Sequence, residues 1–147
     1  MALGDLREYS GDQIFVSFFG LPLGGWADGE FVRIERENPA FEDVVGTDGE
    51  VTRYKTMDER ATVTIRTMQS SPVNDQLSAL HNSDKNTPGG VGVGALLIQD
   101  LQGTFVSTAE KAWISKEPDV SFDRAPTERE WVIRVARLVT VHGGSVT

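Results

Sequence analysis

The sequence predicts a mainly β fold, an antiparallel β-sandwich or partly open barrel carrying one α-helix. Three observations lead there. Residues 61–69, ATVTIRTMQ, alternate apolar and polar side chains with the two-residue period of a half-buried strand. Asp-Gly pairs at Asp28-Gly29 and Asp48-Gly49 fall beside extended segments, where they signal tight turns and hairpins. Residues 71–84 carry apolar side chains at helical spacing, with Val73, Leu77 and Leu80 on one stripe.

The elements follow in order. Residues 1–11 are polar, with Gly4 and Gly11, and read as a flexible arm. Residues 12–19 are rich in β-branched and aromatic side chains and form a first strand that Gly20 ends. Residues 21–28 read as a turn-rich connection. Residues 30–35 form a second strand, with Val32 and Ile34 on one face and Arg33 and Glu35 on the other, broken by Asn38-Pro39. Residues 37–60 are polar, and a long exposed hairpin or loop is expected across 45–60. In the strand at 61–69, Ala61, Val63 and Ile65 face one way and Thr62, Thr64 and Arg66 the other. Ser71 is placed to cap a helix with Pro72 at its first position, ending near residues 82–84. The stripe should leave Asn74, Gln76 and Asn82 facing solvent.

A glycine-rich connection, NTPGGVGVG, leads to an apolar strand at 95–99, a turn at 100–103 and a strand at 104–114 carrying Phe105 and Trp113. Pro118 and Pro126 frame a loop. Residues 128–141 read as the last and longest strand. Trp131, Ile133 and Val135 share one face and Val132, Ala136 and Leu138 the other, so both faces should be covered. Six or seven strands and one helix make a single domain over 1–147, with no internal repeat.

Composition narrows the function classes. With no cysteine, the chain has no disulfide, no thiolate nucleophile and no cysteine-ligated metal. No apolar run approaches membrane-spanning length, so no membrane insertion is expected. The first residues carry early acids and no apolar core, unlike a secretory signal. The net charge is −8, and residues 1–60 hold 13 acids against 6 bases. Wrapping nucleic acid needs clustered Lys and Arg, which this balance does not supply. An acidic surface of this kind serves solubility.

Motifs for chemistry are missing. His81 and His142 lie at element ends without HxH or HExxH spacing and read as surface histidines. GGVGVGA at 89–95 precedes a strand, whereas a dinucleotide loop follows a strand and opens a helix. Glu35 with Glu37, and Glu128 with Glu130, share strand faces and read as solvated edges or subunit contacts. Neither Asp-Gly site has the acid spacing of an EF-hand, and Ser70 and Ser71 lie in no nucleophile elbow. No enzymatic activity, cofactor or metal is expected. Trp26, Trp113 and Trp131 suit core or interface packing. Trp26, beside Gly24 and Gly25, is the candidate intersubunit anchor.

In order along the chain come GLPLGGWADGEFV, FEDVVGTDGEVTR, the strand at 61–69, SSPVNDQLSAL, AWISKEPDVSF and REWVIRVARL. As a whole this succession resembles the tail tube proteins of contractile-tailed bacteriophages. The resemblance implies hexameric rings, each subunit lending strands to a continuous β-barrel. Rings stack into a tube in the virion tail, bounded by a sheath protein and other tail proteins. The protein would be made in the host cytoplasm. DNA would pass through the lumen without specific binding. The segment at 45–60 would be the inter-ring contact, with Asp48, Glu50, Arg53, Lys55, Asp58 and Arg60 as its charged residues. Type VI secretion tubes share the expected fold, so a tube of a phage-derived contractile or secretion system stays open. So does a small monomeric ligand-binding β-barrel.

Overall fold

The computed structural model describes Leu6 and residues 9–144. The arm expected at 1–11 lies largely outside the described residues. Among the described residues ten strands and one helix follow a short 3-10 turn at Gly11–Gln13. The strands are β1 (Ile14–Phe18), β2 (Leu21–Leu23), β3 (Val32–Arg36), β4 (Phe41–Val45), β5 (Val51–Lys55), β6 (Ala61–Met68), β7 (Gly94–Asp100), β8 (Val106–Lys116), β9 (Glu128–Val135) and β10 (Val139–Val141); the helix α1 spans Val73–Asn86. One antiparallel sheet runs β2-β1-β7-β8-β9-β6-β3, with β10 also paired to β8. It curls around a single core without closing, because β2 and β3 remain at its two ends. The expected mainly β, antiparallel architecture with one helix is what the chain adopts.

The core shows why the alternation in β6 was so informative. Ala61, Val63, Ile65 and Thr67 are buried, and the residues between them are half-exposed. They meet Trp131, Ile133 and Val135 of β9, Val16 and Phe18 of β1, and Leu96 and Ile98 of β7. Val73 and Leu77 of α1 close the cluster, with Leu80 packed at its border. The helix runs two residues past the expected end.

Elsewhere simple alternation fails at identifiable places. In β8 the inward set is Ser107 and Ala109, then Ala112 and Ile114. Leu96 pairs with Ala109 but Gly94 with Ala112, so β8 carries one extra residue there. Such a bulge resets the phase of a strand. Trp113, in phase with Phe105 by counting, is therefore thrown to the outer face and left half-exposed.

The strand expected over 128–141 is two strands. A bend at Ala136 and Arg137 ends β9, and β10 pairs with β8 instead of extending β9. The bend shifts the phase, so Leu138 joins the same core as Trp131. The outer face of β9 carries Glu130, Val132 and Arg134, so the expected cover on both faces is corrected. The connection at 21–28 likewise holds a strand, β2, paired with β1 through Phe18↔Leu21 across a tight turn at Phe19 and Gly20.

Candidate functional site

The segment that stands apart from the core is the ribbon of β4 and β5. These strands form their own two-stranded sheet, and every residue in both is exposed. The turn between them places Gly49 at φ 87°, in the left-handed region that glycine tolerates. Gly46 N–H donates to the Glu50 carbonyl at 2.8 Å, and Glu50 N–H donates to Asp48 Oδ1 at 3.1 Å. The register pairs Phe41 with Lys55, Asp43 with Arg53, and Val45 with Val51. Because paired residues in an antiparallel ladder share a face, these six form one side of the ribbon. The other side holds Glu42, Val44, Thr52 and Tyr54, and the Tyr54 hydroxyl donates to Glu42 Oε2 at 2.7 Å. That bond, together with the nearby negative charge, raises the Tyr54 pKa.

The ribbon is rooted by a polar cluster. Asp58 accepts two hydrogen bonds from the Arg60 guanidinium, both at 2.9 Å, and one from Asn38 Nδ2 at 2.6 Å. It also accepts one from Arg60 N–H at 3.1 Å. The Arg60 side chain, first, and its backbone N–H hold the Asp58 carboxyl well below the usual carboxylate range. Arg134 reaches Glu37 at 2.7 Å, and Arg137 reaches Glu59 at 2.7 Å. The ribbon is thus fixed to β9 and the following bend through charges at its base.

The six charged residues expected to make an inter-ring contact fall into three groups. Asp48 and Glu50 sit in the turn, where Asp48 caps a backbone N–H. Asp58 and Arg60 lie at the root and bond each other. Arg53 and Lys55 lie on one face of the ribbon and enter no ion pair among the described residues. The Arg53 guanidinium sits 4.4 Å from the centre of the Phe41 ring. Phe41, Val44, Val45, Val51 and Tyr54 on the ribbon are exposed by 46–63%, and Met57 beside it by 84%. Sequence reasoning centred on the charges and missed Phe41 and Val44, which lie before residue 45. The Asp48-Gly49 turn, flanked by the β-branched and aromatic residues of FEDVV and VTRYK, was the signal that could have placed them on a strand.

Trp26 packs partly against its own chain. Its ring stacks on Phe31 with centroids 5.3 Å apart, and its backbone bridges to Thr67. Gly25, at φ 67°, lies so close to Ser71 that an added Cβ would come within 2.3 Å of its hydroxyl. Ser71 Oγ donates to the Gly24 carbonyl at 3.1 Å and accepts from Val73 N–H at 3.3 Å, capping α1. Trp26 is half-buried by this packing. His81 is half-buried rather than fully exposed, with Nδ1 enclosed, while His142 is exposed against Phe105.

An apolar slot of about 520 Å³ lies at the open seam of the sheet, lined by Ile14, Phe31, Val32, Ile34, Ile98 and Phe105 among others. It is the gap left where β3 does not meet β1. Among the described residues no three His, Asp or Glu side chains gather as a metal site. No described helix is long and apolar enough to cross a membrane.

The family described as bacteriophage PhiTE tail tube protein matches residues 19–143, and the chain belongs to that family. It is a structural phage tail tube protein and not an enzyme. Structural protein ORF10 of Pseudomonas phage KPP10 is 30% identical over 123 residues, covering 84% of this chain and 71% of that protein. Among solved structures, the fold is similar to the sheath/tube terminator of the extracellular contractile injection system PVC in its extended state. The TM-score there is 0.66 at 14% identity, over 93% of this chain and 99% of the other. The tube-terminating cap of the anti-feeding prophage gives a TM-score of 0.65 at 8% identity, over 96% and 95% of the two chains. A chain of the PVC sheath-tube complex gives 0.58 at 10% identity, over 91% of each.

Proposed function

We propose that this chain is the repeating subunit of a contractile-type phage tail tube. Six copies close into a ring, and rings stack through the β4–β5 ribbon into a conduit through which DNA leaves the virion without specific binding. A sheath protein and other tail proteins surround the tube. The observation that carries this reading is the ribbon itself. A two-stranded hairpin is marginal in water on its own, and this one exposes apolar residues on both sides with no cover from the described residues. Membership of the tail tube family supports this reading, because stacked rings would cover such a surface. Within the ring, the half-exposed rim of Trp26 is the candidate lateral contact. The inter-ring residues are Asp48, Glu50, Arg53, Lys55, Asp58 and Arg60, with Arg53 and Lys55 the cations among them that enter no ion pair among the described residues.

A second reading is a subunit that ends a tube rather than extends it, favoured by the likeness of fold to two terminating proteins. Purified protein separates the two. A repeating subunit elongates by itself into tubes, whereas a terminator stops at rings and binds tube ends. Tubes that still grow with regular spacing after residues 41–55 are replaced by a short Gly-Ser linker would contradict stacking through the ribbon.

A further inference from the structure

The stacking reading leaves open what the ribbon touches. We infer that its Arg53/Lys55 face docks on a second copy of this chain, against the loop at 117–127 and Glu128. This inference rests on the stacking reading and adds the receiving surface.

The ribbon face presents three exposed apolar side chains, Phe41, Val45 and Val51. Among them stand two cations that no carboxylate of their own chain approaches within ion-pair distance among the described residues. The single acid on this face is Asp43. A matching surface should therefore be apolar with an excess of acids. Residues 117–128 carry four acids against one base, Arg124. Glu117 and Asp119 reach Lys85 and Lys116 only at 3.9 and 3.7 Å, and Asp123 and Glu128 enter no ion pair among the described residues. The same loop exposes Val120 by 64% and Phe122 by 76%. Phe122 is backed by the Arg129 guanidinium, 5.4 Å from the ring centre, and Arg129 itself is buried and bonded to Thr127. That support holds the Phe122 ring outward without needing a partner.

Position strengthens the match. β6 pairs Ala61 with Arg36 at one end, where the ribbon leaves the sheet. At its other end Met68 pairs with Glu128, where the loop returns. The eight residues of β6 separate the two ends by about 23 Å. A contact between surfaces at opposite ends of one molecule is heterologous, and when successive copies follow one axis it repeats without closing, which is the geometry of stacking. Two ribbons meeting by the same face would instead set Arg53 and Lys55 against their own copies, and like charges in contact disfavour that pairing.

Charge exchange in the full-length protein tests this, with tube length read by negative-stain microscopy and folding by circular dichroism. Arg53→Glu with Lys55→Glu should abolish tubes in a folded subunit, and Asp119→Lys with Asp123→Lys should do the same. All four together should restore them. A second test uses the absence of cysteine in the chain. Val45→Cys combined with Val120→Cys should give a disulfide ladder of many subunits under oxidation, and neither single variant should. Loss of tubes in the ribbon variant alone, with no effect of the loop variant and no rescue, would overturn this inference and leave stacking through the ribbon intact. Normal tubes in both paired variants would overturn both. Disulfide dimers from Val45→Cys alone would show ribbons meeting face to face and also overturn the inference.

Discussion

Asn74 shows how one side chain can be misread from periodicity and still explain the fold. The helical stripe places it away from Val73 and Leu77, yet its side chain turns into the junction of α1 with the sheet. Its Oδ1 accepts from Thr67 Oγ1 at 2.7 Å and Trp131 Nε1 at 3.0 Å, and its Nδ2 donates to the Met68 carbonyl at 3.0 Å. A buried indole N–H needs a partner, and Asn74 is that partner. Asn74→Ala should therefore destabilise by about 1–3 kcal/mol for each buried donor left unpaired. Leu77, fully buried at the centre of the helix contact, should cost about 2–5 kcal/mol when cut to alanine. Urea denaturation of both variants checks these values; a loss below about 0.5 kcal/mol for Leu77→Ala would mean that α1 does not seal the core. Asp58 makes a prediction about pH. Its folded pKa is depressed, so its contribution to the root of the ribbon is present above the usual carboxylate value and declines as pH falls below about 4. Asp58→Asn should remove that acid dependence, read from the NMR shifts of the Arg60 N–H and the Asn38 side-chain amide, which both donate to Asp58, across a pH series.

At the scale of elements, legibility followed burial on one face. β6 and the stripe of α1 could be read because one face meets the core and the other meets water. β8 and β9 could not be read to their ends. The bulge at Glu110 and Lys111 and the bend at Ala136 and Arg137 change phase, and local composition does not mark either. The ribbon was partly legible. Asp48-Gly49 announced its turn, but Phe41 and Val44 read as loop because their neighbours Glu42 and Asp43 are acidic. Its pairing is a property of register, which no single strand displays. Because nothing in the ribbon belongs to the core, replacing 41–55 with a Gly-Ser linker should leave the thermal unfolding midpoint nearly unchanged. Hydrogen exchange in β4 and β5 should be fast in the free subunit and slow in tubes; fast exchange in both would contradict their role in stacking.

For the molecule as a whole, two features bear on assembly: a sheet that curls without closing, and a charge balance of −8. Open edges invite uncontrolled pairing, and a ring of subunits removes them. The charge bears on the lumen. Each phosphate contact by Lys or Arg adds salt-dependent affinity for DNA, so a conduit wall should be neutral or acidic. A structure of the assembled tube should show acids matching or outnumbering Lys and Arg on its inner wall. The most direct measurement of the central claim is native mass spectrometry of the purified full-length protein over a wide concentration range, paired with negative-stain images of the same samples. Six-subunit rings that pass into tubes as concentration rises are the expected result. A chain that stays monomeric throughout would contradict it.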